Sequence, residues 1–177
     1  MRSPPYFFVL AFATAALANA VPAASGCVTV QPLPEEVHYT IRKGSARSLK
    51  NWIAWDREVL DVVDQESGRT PLMTALIAEK PKHFRILLDA GAQPNLTDGV
   101  GNSALHVAAL INEPWHVLAI LKAGADPELR NAQGQTFQRY LFMTPDKLLN
   151  KKTREGMVAV VEWLTTHGFK VEPKQAP

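Results

Sequence analysis

Five histidines are the side chains best suited to chemistry near neutral pH: His38, His83, His106, His116 and His167. Two histidines that grip a metal need a close spacing on one face, as in H-E-x-x-H, and none of the five has it. A hydrolytic nucleophile needs a positioned base and an orienting group. No G-x-S-x-G stretch is present to supply the nucleophile, and nothing of the phosphate-loop pattern follows Gly99-Val100-Gly101. The carboxylates Asp61, Asp64 and Glu66 cluster, but they read as a solvated turn. Asn95-Leu96-Thr97 matches a glycosylation sequon and reads as incidental. Cys27 is the only cysteine, which excludes an intramolecular disulfide and a multi-cysteine zinc site. The expectation is therefore no catalysis, no metal and no cofactor. These residues are parts of a scaffold, and its organisation must carry the function.

Composition narrows the partner. The chain of 177 residues has 19 basic and 17 acidic side chains, a formal charge of 19 − 17 = +2. This balance, without long Lys/Arg blocks, argues against nucleic acid. The hydrophobic share of 46% with 20% charged residues fits a packed globular chain. Thirteen prolines suit short elements joined by turns and exclude a long coiled coil.

Residues 1–26 read as an address. Arg2 is their only charge, an apolar run extends from Tyr6 to Leu17, and the small residues Ala18-Asn19-Ala20 follow. That is the three-part pattern of a secretory signal, and its apolar run falls short of the roughly 20 residues that span a bilayer. Cleavage is expected after Ala20 or before Cys27. Ala24-Ser25-Gly26-Cys27 resembles a loose bacterial lipobox, which makes Cys27 a candidate lipidation site and the one expected route to a membrane. Residues 27–34 read as an extended tether, because Pro32 and Pro34 disfavour helix.

A period of 33 organises the remainder. Gly68, Gly101 and Gly134 are spaced by it, as are Thr70, Ser103 and Thr136. Residues 65–97 align on 98–130 without a gap, with eleven identities that include Leu72, Ala75, His83, Leu88, Gly91, Ala92 and Pro94. Each unit reads as turn, helix, helix, turn. Thr70 and Ser103 stand where an N-cap oxygen accepts a backbone N–H. Leu72, Ala75 and Leu76, then Leu105, Ala108 and Ala109, place apolar groups at i, i+3 and i+4. A second helix carries Phe84, Leu87 and Leu88, and then Val117, Ile120 and Leu121. Gly91 and Gly124 end those helices as left-handed caps. Trp52, Trp55, Trp115 and Trp163 are expected mostly in or near the core.

The stretches Gly68-Arg69-Thr70-Pro71-Leu72, Gly91-Ala92-Gln93-Pro94-Asn95, Ser103-Ala104-Leu105-His106-Val107-Ala108-Ala109 and Gly124-Ala125-Asp126-Pro127 resemble ankyrin repeats. The resemblance implies an all-α solenoid of about four helix pairs with short β-hairpin fingers, spanning residues 35–172. Its expected parts are an N-terminal capping unit (35–64, with a helix around Leu49, Trp52 and Ile53), repeats at 65–97 and 98–130, and a divergent C-terminal capping unit (131–172). The last unit has Phe137 and Arg139 where the family has Pro and His. Its closing Gly168 lies 44 residues after Gly124, so about eleven residues are inserted near 144–155, where Thr144-Pro145-Asp146 resembles a helix start. Residues 173–177 form a tail. Divergent ends are expected, since a terminal unit must expose one face to water. The resemblance also gives His106 a structural role, a hydrogen bond to a neighbouring turn.

Ankyrin repeats meet partners through finger tips and the exposed side of the first helix. Carried over position by position, those roles fall on Arg69, Ile77 and Thr97. They fall next on Gly99, Val100, Asn102, Leu110, Ile111 and Arg130, and then on Ala132, Gln133 and Gln135, with Met143 aligned less securely. Val100, Leu110 and Ile111 stand out, because a monomer has no need of apolar groups facing water. A second candidate surface is the basic group Lys147, Lys151, Lys152 and Arg154, suited to an acidic partner or to anionic head groups. An exported chain of this build resembles immunity proteins that occlude toxic type VI secretion effectors, phospholipases among them, from the periplasm. The runner-up is an accessory protein that supports a periplasmic enzyme such as catalase.

Overall fold

The computed structural model describes residues 33–172. The signal segment, the cleavage and lipidation calls at Ala20 and Cys27, and the tail lie outside the described residues. Eight α-helices are present among them: α1 (Pro34–Lys43), α2 (Ala46–Trp55), α3 (Pro71–Ile77), α4 (Pro81–Asp89), α5 (Ala104–Leu110), α6 (Pro114–Lys122), α7 (Phe137–Leu141) and α8 (Lys151–Thr166). Local chemistry explains their starts. Proline occupies the first turn of α1, α3, α4 and α6, where its missing N–H leaves no bond unmade. Ser45, Thr70, Thr136 and Asn150 cap α2, α3, α7 and α8 by accepting backbone N–H groups. Of the stretch read as an extended tether, residues 27–32 lie outside the described residues, and Pro34 belongs to α1 instead.

The helices stack in two rows. α1, α3, α5 and α7 form one row, and α2 with α4 and α6 with α8 pack in the other. Phe84 of α4 meets His116 of α6 edge to face, with ring centroids 4.6 Å apart. Ala75 and Ala108 are fully buried between rows, where small side chains let helices approach, and Leu72, Leu105, Phe137 and Leu141 fill the remaining space. None of these short helices would hold alone in water, so the stack supplies their stability. The expected all-α repeat solenoid is borne out.

Three details differ from the sequence reading. The fingers are tight turns rather than β-hairpins, and the β-pairing among the described residues is one isolated bridge, Thr97 with Ser103. The last helix pair is not a compact hairpin: α7 follows α5 and α8 follows α6, with little contact between them. The inserted residues make this possible. Part of the insertion forms a 3-10 turn at Asp146–Leu148, and part lengthens the helix, which has 16 residues against nine in α6. The helix start expected at Thr144 thus opens only that turn, and Asn150 caps α8 with its Oδ1 accepting from Thr153 N at 2.8 Å. Finally, Trp55 and Trp115 lie about half exposed, whereas Trp52 and Trp163 pack against the core. Trp115 is held outside because its indole N–H donates to the Lys152 carbonyl at 3.1 Å, laying the ring over the start of α8.

Successive fingers join through their backbones. Gly99 N–H donates to the Ser67 carbonyl, and one period later Ala132 N–H donates to the Val100 carbonyl, each at 3.1 Å. The finger glycine makes room for this. Gly101 has φ +78°, and a Cβ there would lie 2.8 Å from Ala132 N. Gly134 repeats the left-handed backbone at the end of the stack, with nothing within 4 Å of its Cβ position. Gly134→Ala should cost about 1–2 kcal/mol, the left-handed penalty alone. Gly101→Ala should cost clearly more, because the next finger must also move; equal costs in urea denaturation would show that finger contacts carry no stability.

Core truncations should separate by depth. Leu87 and Leu121 are buried, at 0% and 2% exposure, whereas Leu88 is only partly buried. Leu121→Ala or Leu87→Ala should cost about 2–5 kcal/mol. Leu88→Ala, which the repeat alignment ranks with Leu121, should cost less in the same denaturation series.

Candidate functional site

Two of the three buried histidines, His106 and His38, are held by hydrogen bonds of the scaffold, whereas Nε2 of the third, His83, is buried without a partner among the described residues. Ser103 can only donate from its backbone N–H, and that N–H reaches His106 Nδ1 at 3.2 Å. Nδ1 is therefore an acceptor, and the proton sits on Nε2, which donates to the Gln135 carbonyl at 3.0 Å. His106 so joins its own helix start to the next finger, as its repeat motif implies. His38 does similar work in the N-terminal unit: Nε2 donates to the Val62 carbonyl at 2.9 Å and Nδ1 accepts from Thr74 Oγ1 at 2.8 Å. Spacing offers no sign of this role, because Thr74 is 36 residues away and the first unit lacks the repeat motif. Burial lowers the imidazole pKa of His38, His106 and His83, the last with Lys80 adding to the effect.

Carboxylates and amides of the loops are structural too. Asp61 Oδ1 accepts from Gln93 N, and in the next unit Asn95 Oδ1 accepts from Asp126 N, each at 2.8 Å. Asn95 of the sequon therefore ties two repeats. Asp64 accepts from the backbone and hydroxyl of Ser67, and the hydroxyl bond is the main reason its carboxyl pKa is lowered. Buried Asn131 gives its amide to Asn102 Oδ1 and Tyr140 Oη, and accepts from the N–H groups of Gln133 and Gln135. Of the expected contact residues, Asn102 and Gln135 are thus half-buried parts of this finger network rather than free tips.

The rest of the expected surface faces water. Arg69, Thr97, Gly99, Arg130, Ala132 and Gln133 are exposed along the fingers, and Arg130 donates to the Gly134 carbonyl at 2.7 Å. Val100 is 52% exposed at the middle finger tip. Leu110 and Ile111 do not bury against the neighbouring unit; they remain 42% and 37% exposed. Ile77, Leu110 and Met143 stand 33 residues apart, one repeat position in three successive units, and all are exposed. They form an apolar stripe across the stack.

Beside this stripe lies a groove of about 350 Å³ that spacing alone did not foretell. Ala75, Leu76, Ile77, Phe84 and Ile111 give it apolar walls, and Glu79, Lys80, Glu113, His116 and Lys152 give it a polar rim. Glu79 on its rim has a left-handed backbone at φ 53°, and Asn112, one period on, repeats it at 55°. Lys152 belongs to the inserted segment, so the groove's far side depends on residues outside the repeat period. Lys147, Lys151 and Arg154 are likewise exposed around the start of α8.

Side chains locked into a ladder of turns beside an exposed apolar stripe define a repeat solenoid that works through its surface. The family model for ankyrin repeats, in three copies, matches residues 37–131, and the chain belongs to the ankyrin-repeat family. It is similar to inversin of Gallus gallus, 40% identical over 74 residues, which cover 42% of this chain and 7% of that protein. It is also similar to NF-kappa-B inhibitor delta of Mus musculus, 40% identical over 68 residues, 35% of this chain and 20% of that protein. The chain thus spans a small part of either relative. Ankyrin repeats are in general non-catalytic modules of protein–protein interaction.

The lowered histidine pKa values predict an acid-sensitive scaffold. Each lowered value means that the unfolded chain binds more protons than the folded one below the ordinary imidazole pKa of about 6.5. Their stabilising contribution is complete above that pH and is lost as pH falls. The thermal midpoint should therefore drop on acidification from about pH 7.5 to about pH 5. His106→Gln should be less stable at neutral pH and show a shallower drop. A midpoint that falls as steeply in the variant would move the acid sensitivity away from His106.

Proposed function

We propose that this chain is an exported, non-catalytic inhibitor that neutralises a toxic protein by covering its active-site mouth, as an immunity protein does. The observation that carries the reading is the stripe of Ile77, Leu110 and Met143 with Ile111 beside it. Four large apolar groups, 37–61% exposed and three of them spaced by the repeat period, are a poor surface for a monomer and a good one for a partner. The stripe sits on helices locked by the finger ladder, so binding requires little ordering of the surface. The N-terminal signal pattern supports export to the periplasm, and the mouse relative bears the name of an inhibitor. A type VI secretion effector of phospholipase type is the proposed target, from the resemblance of the exported build to immunity proteins.

Co-expression with a toxin encoded beside the chain and routed to the periplasm tests the reading: cells carrying the chain should survive. Equal killing with and without the chain sinks it, and a partner that gains stability or activity in the complex points instead to the accessory role, with catalase as the case to assay. The surface is tested separately on the captured partner. Leu110→Glu with Ile111→Glu should fold and should weaken binding at least about tenfold, the scale of one or two interface anchors. Undiminished affinity in the folded variant would place the interface elsewhere.

A further inference from the structure

We propose that the inserted segment and the start of α8 form a docking site for an anionic lipid bilayer surface. Lys147, Lys151, Lys152 and Arg154 are all exposed within eight residues of chain. Two apolar side chains stand out among them: Leu148 is 70% exposed in the turn that leads into α8, and Val158 is 66% exposed on α8 itself. Lys151, Arg154 and Val158 follow at i, i+3 and i+7, one face of the helix. Cations with protruding apolar tips on one face are what an interfacial membrane contact uses: the charges meet lipid head groups and the tips enter the acyl boundary.

Two further observations set this patch apart from a merely solvated helix end. First, the four cations lie outside the repeat period, so the repeat pattern does not call for their side chains. Second, the first turn of α8 holds three cations and no acid. That is the wrong sign for the positive end of a helix dipole, and it costs stability. The nearby acid Glu155 approaches only Lys151, at 3.9 Å between two exposed groups. A bilayer suits the patch better than an acidic protein does. Leu148 and Val158 protrude at separate points and neither lines the groove that has Lys152 on its rim, which a protein side chain would fill. A fluid surface needs no matching shape.

The test is co-sedimentation of the full chain, with Cys27→Ser to remove any lipid anchor, using mixed phosphatidylglycerol–phosphatidylcholine vesicles and pure phosphatidylcholine vesicles. The chain should pellet with the anionic vesicles alone, and added salt should release it. Each of Lys147→Gln, Lys151→Gln, Lys152→Gln and Arg154→Gln should weaken binding by about fivefold or less, and the four together far more. Leu148→Ser with Val158→Ser should weaken it at unchanged charge. All six side chains are exposed, so circular dichroism should show folded variants. Every arm keeps the same N-terminal stretch, so pelleting that ignores lipid charge, or survives the fourfold substitution, overturns the proposal. Failure to pellet with anionic vesicles overturns it as well, and binding of polyglutamate in that case hands the patch to an acidic protein partner.

Discussion

Every feature of this molecule depends on one backbone register. A finger can donate its N–H to the carbonyl of the finger before it only if each unit returns the chain to the same place, as it does from Ser67–Gly99 to Val100–Ala132. The finger glycine is part of that constraint, since a side chain at Gly68 or Gly101 would occupy the space the next backbone needs. Helix packing alone fixes the spacing of the rows only loosely, because apolar faces slide at small cost. Hydrogen bonds between turns remove that freedom. They act at the edge of the stack, where Val100 stands exposed at a finger tip.

Polar side chains extend the same device inward. His106 bridges to the Gln135 carbonyl, Asn131 saturates all its bonding groups between two fingers, and Asp61 and Asn95 tie the opposite loops. Buried polar groups are costly unless paired, so each such residue specifies a single arrangement of its neighbours. The apolar stripe inherits this rigidity. Ile77, Leu110 and Met143 are held by elements whose mutual positions are already determined, and their exposure is a property of the register.

The central units were legible in the sequence because each demand recurs at the same offset, from Leu72 and Leu105 in the rows to Gly91 and Gly124 at the caps. Where the chain stops repeating, spacing lost its power. His38 is buried and bonded as firmly as His106, yet its partners Thr74 and Val62 belong to no periodic motif. The alignment treated Leu88 as the equal of Leu121, but neighbours decide burial, and the two differ. The groove was invisible for a similar reason: Lys152, on its rim, reaches it only because the insertion brings α8 back across Trp115. Gly156, inside α8, makes sense in that contact alone, since a Cβ there would lie 2.7 Å from the Pro114 ring.

The last unit shows how a repeat stops. At the position of Leu72 and Leu105 stands Gln138, which is buried all the same. Its amide donates to the Lys170 carbonyl and accepts from Glu172 N–H, at 3.0 and 2.9 Å, and Thr136 donates its hydroxyl to the Glu172 carboxylate. The backbone of Lys170 and Glu172 thus lies against this position, and a leucine there would leave both backbone groups without a partner. Closing the stack with a side-chain amide frees α8 from pairing tightly with α7. It can then lengthen toward its own N-terminus and carry residues that stacking never asked for. The divergence of the C-terminal unit is therefore two changes in one: a polar seal on the row of inner helices, and an outer helix released to present a surface of its own.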